Sequence, residues 1–165
     1  MSATMSKRPY TGIWPVAPTP FNADGSLDLE GMKRVLDLMI DQGVDGICIL
    51  ANFSEQFLLS DEEREVLTRL CLEHVAGRVP VIVTVSHFAT QIVEARARLA
   101  ASLGASMLMM MPPYHGTGLR ADEVSVIEHF RAAGKAGGIP IMLQDAPLSG
   151  VQLTVGQIVR MAREV

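Results

Sequence analysis

Short apolar runs alternate with longer amphipathic segments along this chain. The short runs are continuously hydrophobic, which is typical of strands buried on both faces. The longer segments carry apolar residues at helical spacing, and most of them end near a glycine. The pattern predicts strands at 12–18, 46–50, 79–85, 106–111 and 139–143, and helices at 29–40, 61–75, 90–103, 122–135 and 155–164.

Strict alternation of strand and helix predicts a parallel sheet, because parallel pairing requires a crossover between strands. An open doubly wound sheet and part of a parallel (β/α)8 TIM barrel both satisfy this pattern, and a complete barrel needs roughly 200 residues or more. Pro18-Thr-Pro-Phe21, rather than a glycine-rich phosphate loop, follows the first strand. Polar or ring-bearing residues follow every strand, as at the mouth of a barrel. We therefore predict five β/α units of a barrel over residues 11–165, with strand order 1-2-3-4-5, preceded by an N-terminal arm at 1–10.

Composition excludes several classes of function. The net charge is −4 and the basic residues are scattered, so no nucleic-acid partner is expected. No apolar run approaches the roughly 20 residues that cross a bilayer, and no signal-peptide core is present, so no membrane partner is expected. Cys48 and Cys71 lie in apolar segments, which favours reduced thiols and a cytoplasmic location. No cluster of residues has metal-ligand spacing, so no metal is predicted.

The stretch from Cys48 to Arg64 is the most informative part of the chain. It reads as a strand, a polar loop and a helix that begins at Ser60, where Glu63 completes a capping-box pattern. Parallel α/β proteins place ligands at the carboxyl ends of strands. The loop at 52–56 is therefore a candidate binding site.

Six segments together resemble the dihydrodipicolinate synthase and N-acetylneuraminate lyase family of Schiff-base (β/α)8 barrels. They cover almost the whole chain in family order. They are Pro18-Thr-Pro-Phe-Asn-Ala-Asp-Gly-Ser-Leu-Asp28, Gly43-Val-Asp-Gly46, Leu59-Ser-Asp-Glu-Glu-Arg64, Gly77-Arg-Val-Pro-Val-Ile82, Pro112-Pro-Tyr114 and Ile139-Pro-Ile141.

Departures from the family pattern are as informative as the matches. Asn52 and Phe53 stand where the family has two threonines that bind the substrate carboxylate. Gln144 stands at the family's proton-shuttling tyrosine, and His115 follows Tyr114 where the family has a second tyrosine. These departures resemble the branch of the family that dehydrates 2-keto-3-deoxy sugar acids.

The resemblance also places the Schiff-base lysine on the sixth strand, which lies beyond Val165. Lys7, Lys33 and Lys135 fall on the predicted arm and on predicted helices. The chain is therefore interpreted as the N-terminal portion of an enzyme, expected to be inactive alone.

The expected activity is that of a hydro-lyase acting on a 2-keto-3-deoxy sugar acid, with no cofactor. Dihydrodipicolinate synthase-like or pyruvate aldolase activity, and a non-catalytic fragment that is unstable or associates through open strand edges, remain alternatives. The family resemblance implies a homo-oligomer, either a dimer or a tetramer. The predicted catalytic residues are His115 and Gln144, and the predicted substrate-binding residues are Asn52, Phe53, Ser54 and Asp145.

Overall fold

A computed structural model describes residues 10–113, 121–146 and 149–165 of the chain. The helices are α1 (Leu29–Asp41), α2 (Asp61–Val75), α3 (Thr90–Ser102), α4 (Glu123–Gly137) and α5 (Val155–Glu164). The strands are β1 (Ile47–Ile49), β2 (Val81–Thr84), β3 (Met107–Met110) and β4 (Ile141–Leu143). A 3-10 turn at Asn52–Ser54 follows β1.

All the described strands pair in parallel in the order β1-β2-β3-β4. The segment predicted as a strand at 12–18 joins β1 through a single parallel bridge between Val16 and Cys48, and it extends the same order. The prediction of a full strand there was wrong, and proline explains the difference. Pro15 faces β1 and has no backbone N–H, so the ladder cannot extend toward the start of the segment. The predicted parallel order of the strands is confirmed.

The sheet has two differently packed faces, because successive residues of a strand point to opposite sides. One face packs against the helices and carries Ile47, Ile49, Val83 and Leu108. The opposite face forms a second, smaller apolar cluster. Its buried members are Cys48, Ala51, Ile82, Met107 and Met109, with Trp14 and Val16 packed against them. This inner cluster is the part of a barrel interior that these strands supply.

Side-chain caps fix where the helices begin. Ser60 accepts a hydrogen bond from the Glu63 backbone N–H at 3.1 Å, and the Glu63 carboxylate accepts one from the Ser60 backbone at 2.8 Å. The capping box predicted from sequence is thus confirmed. Asp122 caps α4 in a similar way by accepting from the Ser125 backbone N–H at 2.8 Å. Each cap sets the first turn of a helix directly after a loop at the carboxyl edge of the sheet.

β4 is less protected than the other strands. Its three residues are only partly buried or exposed, whereas β1, β2 and β3 are buried throughout. Met142, on the inner side, is 39% exposed.

In the described residues, no helix is both long enough and apolar enough to cross a membrane.

Candidate active site

The carboxyl ends of the strands place several predicted residues on one edge of the sheet. The turn at Asn52–Ser54 directly follows β1, and Gln144 and Asp145 directly follow β4. The Asn52 side-chain amide lies 3.7 Å from the Met111 sulfur, just beyond the end of β3. His115 lies outside the described residues. Its predicted position at this edge therefore remains a prediction.

Ser54 ties the loop after β1 to the segment before α1. Its buried hydroxyl donates to the Ala17 carbonyl at 2.6 Å and accepts from the Ala51 N–H at 3.1 Å. The Thr19 hydroxyl in turn donates to the Ser54 carbonyl at 2.8 Å. A hydrogen bond from the Ser54 hydroxyl to a substrate would have to replace the bond to Ala17. The hydroxyl thus holds the loop in the described arrangement.

Phe53 has the opposite environment. Its side chain is 70% exposed, so the ring projects away from the packed core.

The backbone on either side of the turn is strained, because Leu50 and Glu55 both have positive φ values, 57° and 60°. Side chains with a Cβ rarely adopt this region, and it persists where the surrounding structure enforces it. The loop shape is therefore imposed by its contacts rather than by local preference.

Gln144 extends the sheet beyond β4, since its backbone N–H donates to the Met110 carbonyl at 2.9 Å. Its side-chain oxygen Oε1 is buried and has no hydrogen-bond partner among the described residues. A buried acceptor without a partner costs about 1–3 kcal/mol. A rotation of the Gln144 side chain would be needed for this enclosed oxygen to accept a hydrogen bond from a substrate hydroxyl. Asp145, the next residue, is exposed.

A cavity of about 500 Å³ lies beside this edge, between the ends of β2 and β3 and the beginnings of α2 and α3. An ion pair between Arg96 and Asp61, at 2.6 Å, crosses this region. Arg96 also donates to the Ser86 carbonyl at 2.6 Å. The residues that line the cavity include Gln56, Phe57, Asp61, His87, Phe88 and Arg96.

His87 has a defined tautomer in this cavity. Its Nδ1 accepts a hydrogen bond from the Ala89 backbone N–H at 2.9 Å, so in the neutral ring the proton resides on Nε2. Burial, and after it the nearby Arg96 guanidinium, lower the pKa of His87 from the ordinary value of 6.5. His87 is therefore neutral at pH 7, with Nε2 as a hydrogen-bond donor.

An NMR titration should place the His87 pKa below 6.5, and Arg96→Gln should raise it by removing a positive charge. The His87 imidazole is protonated more readily in the unfolded chain than in the folded chain. Its contribution to the free energy of unfolding therefore becomes less favourable to the fold as the pH falls below about 6.5. Arg98→Gln, at an exposed site on the same helix, is the control and should leave the titration unchanged. A His87 pKa above 6.5 in the unsubstituted protein would contradict the described environment.

Two buried residues that sequence reasoning missed support the loop after β1. Gln56 donates from its side-chain amide to the Asn52 side-chain oxygen. Arg64 donates to the Gln56 carbonyl at 3.0 Å and to the Thr84 carbonyl at 2.7 Å. Arg64 could have been found from the helical pattern, because it shares the buried stripe of α2 with Leu67, Thr68, Cys71, Leu72 and Val75.

The described lysines lie away from this edge. Lys33 is on α1 and pairs with Glu30 at 2.6 Å, and Lys135 is exposed on α4. Lys7 lies outside the described residues. Within those residues, no three histidine, cysteine or acidic side chains are grouped so that they could hold a metal ion.

Fold and sequence together define the class of protein. Residues 9–164 match the sequence model of the dihydrodipicolinate synthetase family, and the chain belongs to that family. It is 56% identical, over 163 residues, to the L-2-keto-3-deoxyarabonate dehydratase of Azospirillum brasilense, covering 98% of this chain and 53% of the relative. It is 35% identical to the 4-hydroxy-tetrahydrodipicolinate synthase of Stenotrophomonas maltophilia strain K279a, covering 83% of this chain and 45% of the relative.

A solved structure confirms the architecture. The crystal structure of YagE from E. coli K12, a dihydrodipicolinic acid synthase family protein in complex with pyruvate, superposes with a TM-score of 0.88 at 31% identity. The match covers 93% of this chain and 51% of that protein. The chain thus spans about half the length of the relatives it matches, and its fold is a partial (β/α)8 barrel.

Proposed function

We propose that this chain is the N-terminal portion of a hydro-lyase that dehydrates a 2-keto-3-deoxy sugar acid through a lysine Schiff base. The position and the buried side-chain oxygen of Gln144 are the observation on which the proposal rests. By resemblance it occupies the position of the family's proton-shuttling tyrosine, and its Oε1 is a buried acceptor without a described partner. An amide has no pKa in the range needed for proton transfer, so Gln144 can orient an oxygen but cannot shuttle a proton. The identity with the A. brasilense dehydratase supports the same activity.

The proposed chemistry begins with an imine between a lysine beyond this chain and the C2 keto group of the substrate. The imine is an electron sink, so a proton can be removed from C3 to give an enamine. The enamine expels the C4 hydroxyl as water and leaves a C3=C4 double bond conjugated with the iminium. Loss of a proton from C5 and protonation at C3 then move this double bond to C4=C5, and the resulting enol tautomerises to an aldehyde at C5. Hydrolysis of the imine regenerates the lysine. For a five-carbon substrate the product is 2,5-dioxopentanoate.

The predicted residues divide between binding and proton transfer. In the proposal, Asn52 binds the substrate carboxylate, the Phe53 ring walls the pocket, and Ser54 keeps the loop in place. Gln144 orients the C4 oxygen or a water molecule, and Asp145 contacts the outer part of the substrate. His115 acts as the acid or base that assists the departing hydroxyl. The proposed protein is a cytoplasmic homo-oligomer, a dimer or tetramer, that uses neither a metal nor an organic cofactor.

Two other functions remain as proposals. Synthase or aldolase activity on pyruvate is supported by the identity with the S. maltophilia synthase, but it would need a proton shuttle that Gln144 cannot supply. A non-catalytic half-barrel that associates through strand edges is favoured by one observation, the incomplete burial of β4.

A hybrid barrel tests the proposed function. It joins residues 1–165 of this chain to the part of the A. brasilense dehydratase that follows the matched region. Incubated with 2-keto-3-deoxy-L-arabonate, the hybrid is expected to release 2,5-dioxopentanoate, identified by NMR. Pyruvate and glycolaldehyde would instead show cleavage between C3 and C4, and would overturn dehydration in favour of an aldolase.

A further inference from the structure

The Asn52 side chain is held in one orientation by a buried neighbour. Gln56 is 3% exposed, and its Nε2 donates to the Oδ1 of Asn52, which precedes it in the same loop. With Oδ1 occupied, the Asn52 amide group Nδ2 is directed away from Gln56 and lies 3.7 Å from the Met111 sulfur, a weak acceptor. The amide hydrogens of Asn52 are therefore available to a stronger acceptor at the edge of the sheet.

We infer that Gln56 is a positioning residue that fixes the Asn52 amide with its NH2 group toward the substrate carboxylate. This inference rests on the proposed function and deepens it. A threonine hydroxyl at this position can rotate to donate in many directions. An asparagine has two chemically opposite ends of nearly equal shape, so only its hydrogen-bond partners decide which end faces the ligand. Asn52 therefore needs a second residue that a threonine does not need.

The main chain of Gln56 is held in place, whereas its side-chain Oε1 is buried without a hydrogen-bond partner among the described residues. The guanidinium of Arg64, which is 4% exposed, donates to the Gln56 carbonyl and to the Thr84 carbonyl at the end of β2. Burial lowers the pKa of Arg64 to about 9, so the group remains charged at pH 7. Within the described residues, no carboxylate lies within salt-bridge distance of this cation. The buried guanidinium thus donates hydrogen bonds to two backbone carbonyls, and these bonds connect the loop to the sheet.

The reversed amide would be unfavourable for binding. It would place the Asn52 carbonyl oxygen, instead of two N–H donors, against a carboxylate. A hydrogen bond to a charged group contributes about 1.5–3 kcal/mol, which corresponds to a factor of roughly 10 to 100 in affinity. The orientation set by Gln56 therefore contributes a measurable part of the free energy of substrate binding.

Gln56→Glu in the hybrid barrel tests this inference. A carboxylate only accepts hydrogen bonds, so the substituted side chain would draw the Asn52 NH2 toward itself and turn the Asn52 oxygen toward the substrate. The KM for the 2-keto-3-deoxy acid should rise about tenfold or more, with kcat changing by less than about threefold. Gln56→Met, of similar length and without hydrogen bonds, should show a smaller rise. Gln91→Glu adds the same charge at an exposed site of α3 and should leave both constants unchanged.

An activity-independent measurement separates this inference from the proposed function. With glutamine-selective ¹⁵N labelling of the hybrid, one Gln56 amide proton should exchange slowly with solvent, and Asn52→Leu should abolish that protection. A freely exchanging Gln56 amide overturns the inference whatever the activity. An unchanged KM in Gln56→Glu also overturns it, as do equal losses of kcat and melting temperature in the two Gln56 variants. A protected amide in an inactive hybrid supports the fixed orientation and overturns the proposed function alone.

Discussion

The 165-residue chain is expected to form no stoichiometric adduct when it is incubated with a 2-keto-3-deoxy acid and borohydride. An imine-forming lysine must be held among the reacting groups, with its amine made nucleophilic by its surroundings. Lys33 is paired with Glu30 on α1, and Lys135 is exposed on α4. Neither residue lies at the carboxyl edge of the sheet, where Asn52 and Gln144 are located.

Intact mass spectrometry followed by peptide mapping would measure this adduct. The hybrid barrel, treated in parallel, is the positive control and should carry one adduct on a lysine that the present chain lacks. Lys33→Arg and Lys135→Arg in the hybrid should leave the adduct unaffected. A single modified lysine at full occupancy in the isolated chain would overturn the proposed location of the Schiff base.

Gln144→Leu in the hybrid barrel is expected to lower kcat by about two orders of magnitude. The substitution keeps a side chain of similar size but removes the buried acceptor that orients the substrate oxygen, and a misplaced reacting group costs about 10²-fold. Gln152→Leu, at an exposed position before α5, is the matched control and should retain full activity.

Gln144→Tyr distinguishes dehydration from carbon–carbon cleavage. A tyrosine at this position restores a hydroxyl that can remove the proton of the C4 hydroxyl. Proton removal there favours cleavage of the C3–C4 bond of the imine, which is the aldolase reaction. The variant should therefore release pyruvate and glycolaldehyde in place of part of the 2,5-dioxopentanoate.

A kcat for Gln144→Leu equal to that of the unsubstituted hybrid would contradict any role of Gln144 in the reaction.

The architecture was predictable because its signals are local. The capping box at Ser60 and the helical spacing in α1 can be recognised within single segments, and the structure confirms both. The segment at 12–18 was overpredicted as a strand because apolar content suggested a strand, whereas Pro15 removes a donor that a ladder with β1 needs. Hydrophobic pattern reports burial, and it does not report which backbone groups can pair.

The site was less predictable because its supports connect distant positions. The Ser54 hydroxyl was expected near a ligand, yet it bonds to Ala17, which is 37 residues earlier. Arg64 reaches Thr84 across 20 residues, and no local pattern reveals that contact. The relevant clue, a charged residue inside the buried stripe of α2, is visible only when helical spacing is combined with burial.

The supports of the loop after β1 act largely on the main chain, and this has an evolutionary consequence. Arg64 and the Ser54 hydroxyl bond to carbonyl oxygens, and the Thr19 hydroxyl does the same. Every amino acid presents such a carbonyl, so replacing the side chains at positions 52 and 53 leaves these bonds available. A lineage can therefore exchange the groups that meet the substrate while the loop keeps its shape. Apart from the proposed coupling between Asn52 and Gln56, specificity and scaffold are free to evolve separately in this part of the barrel.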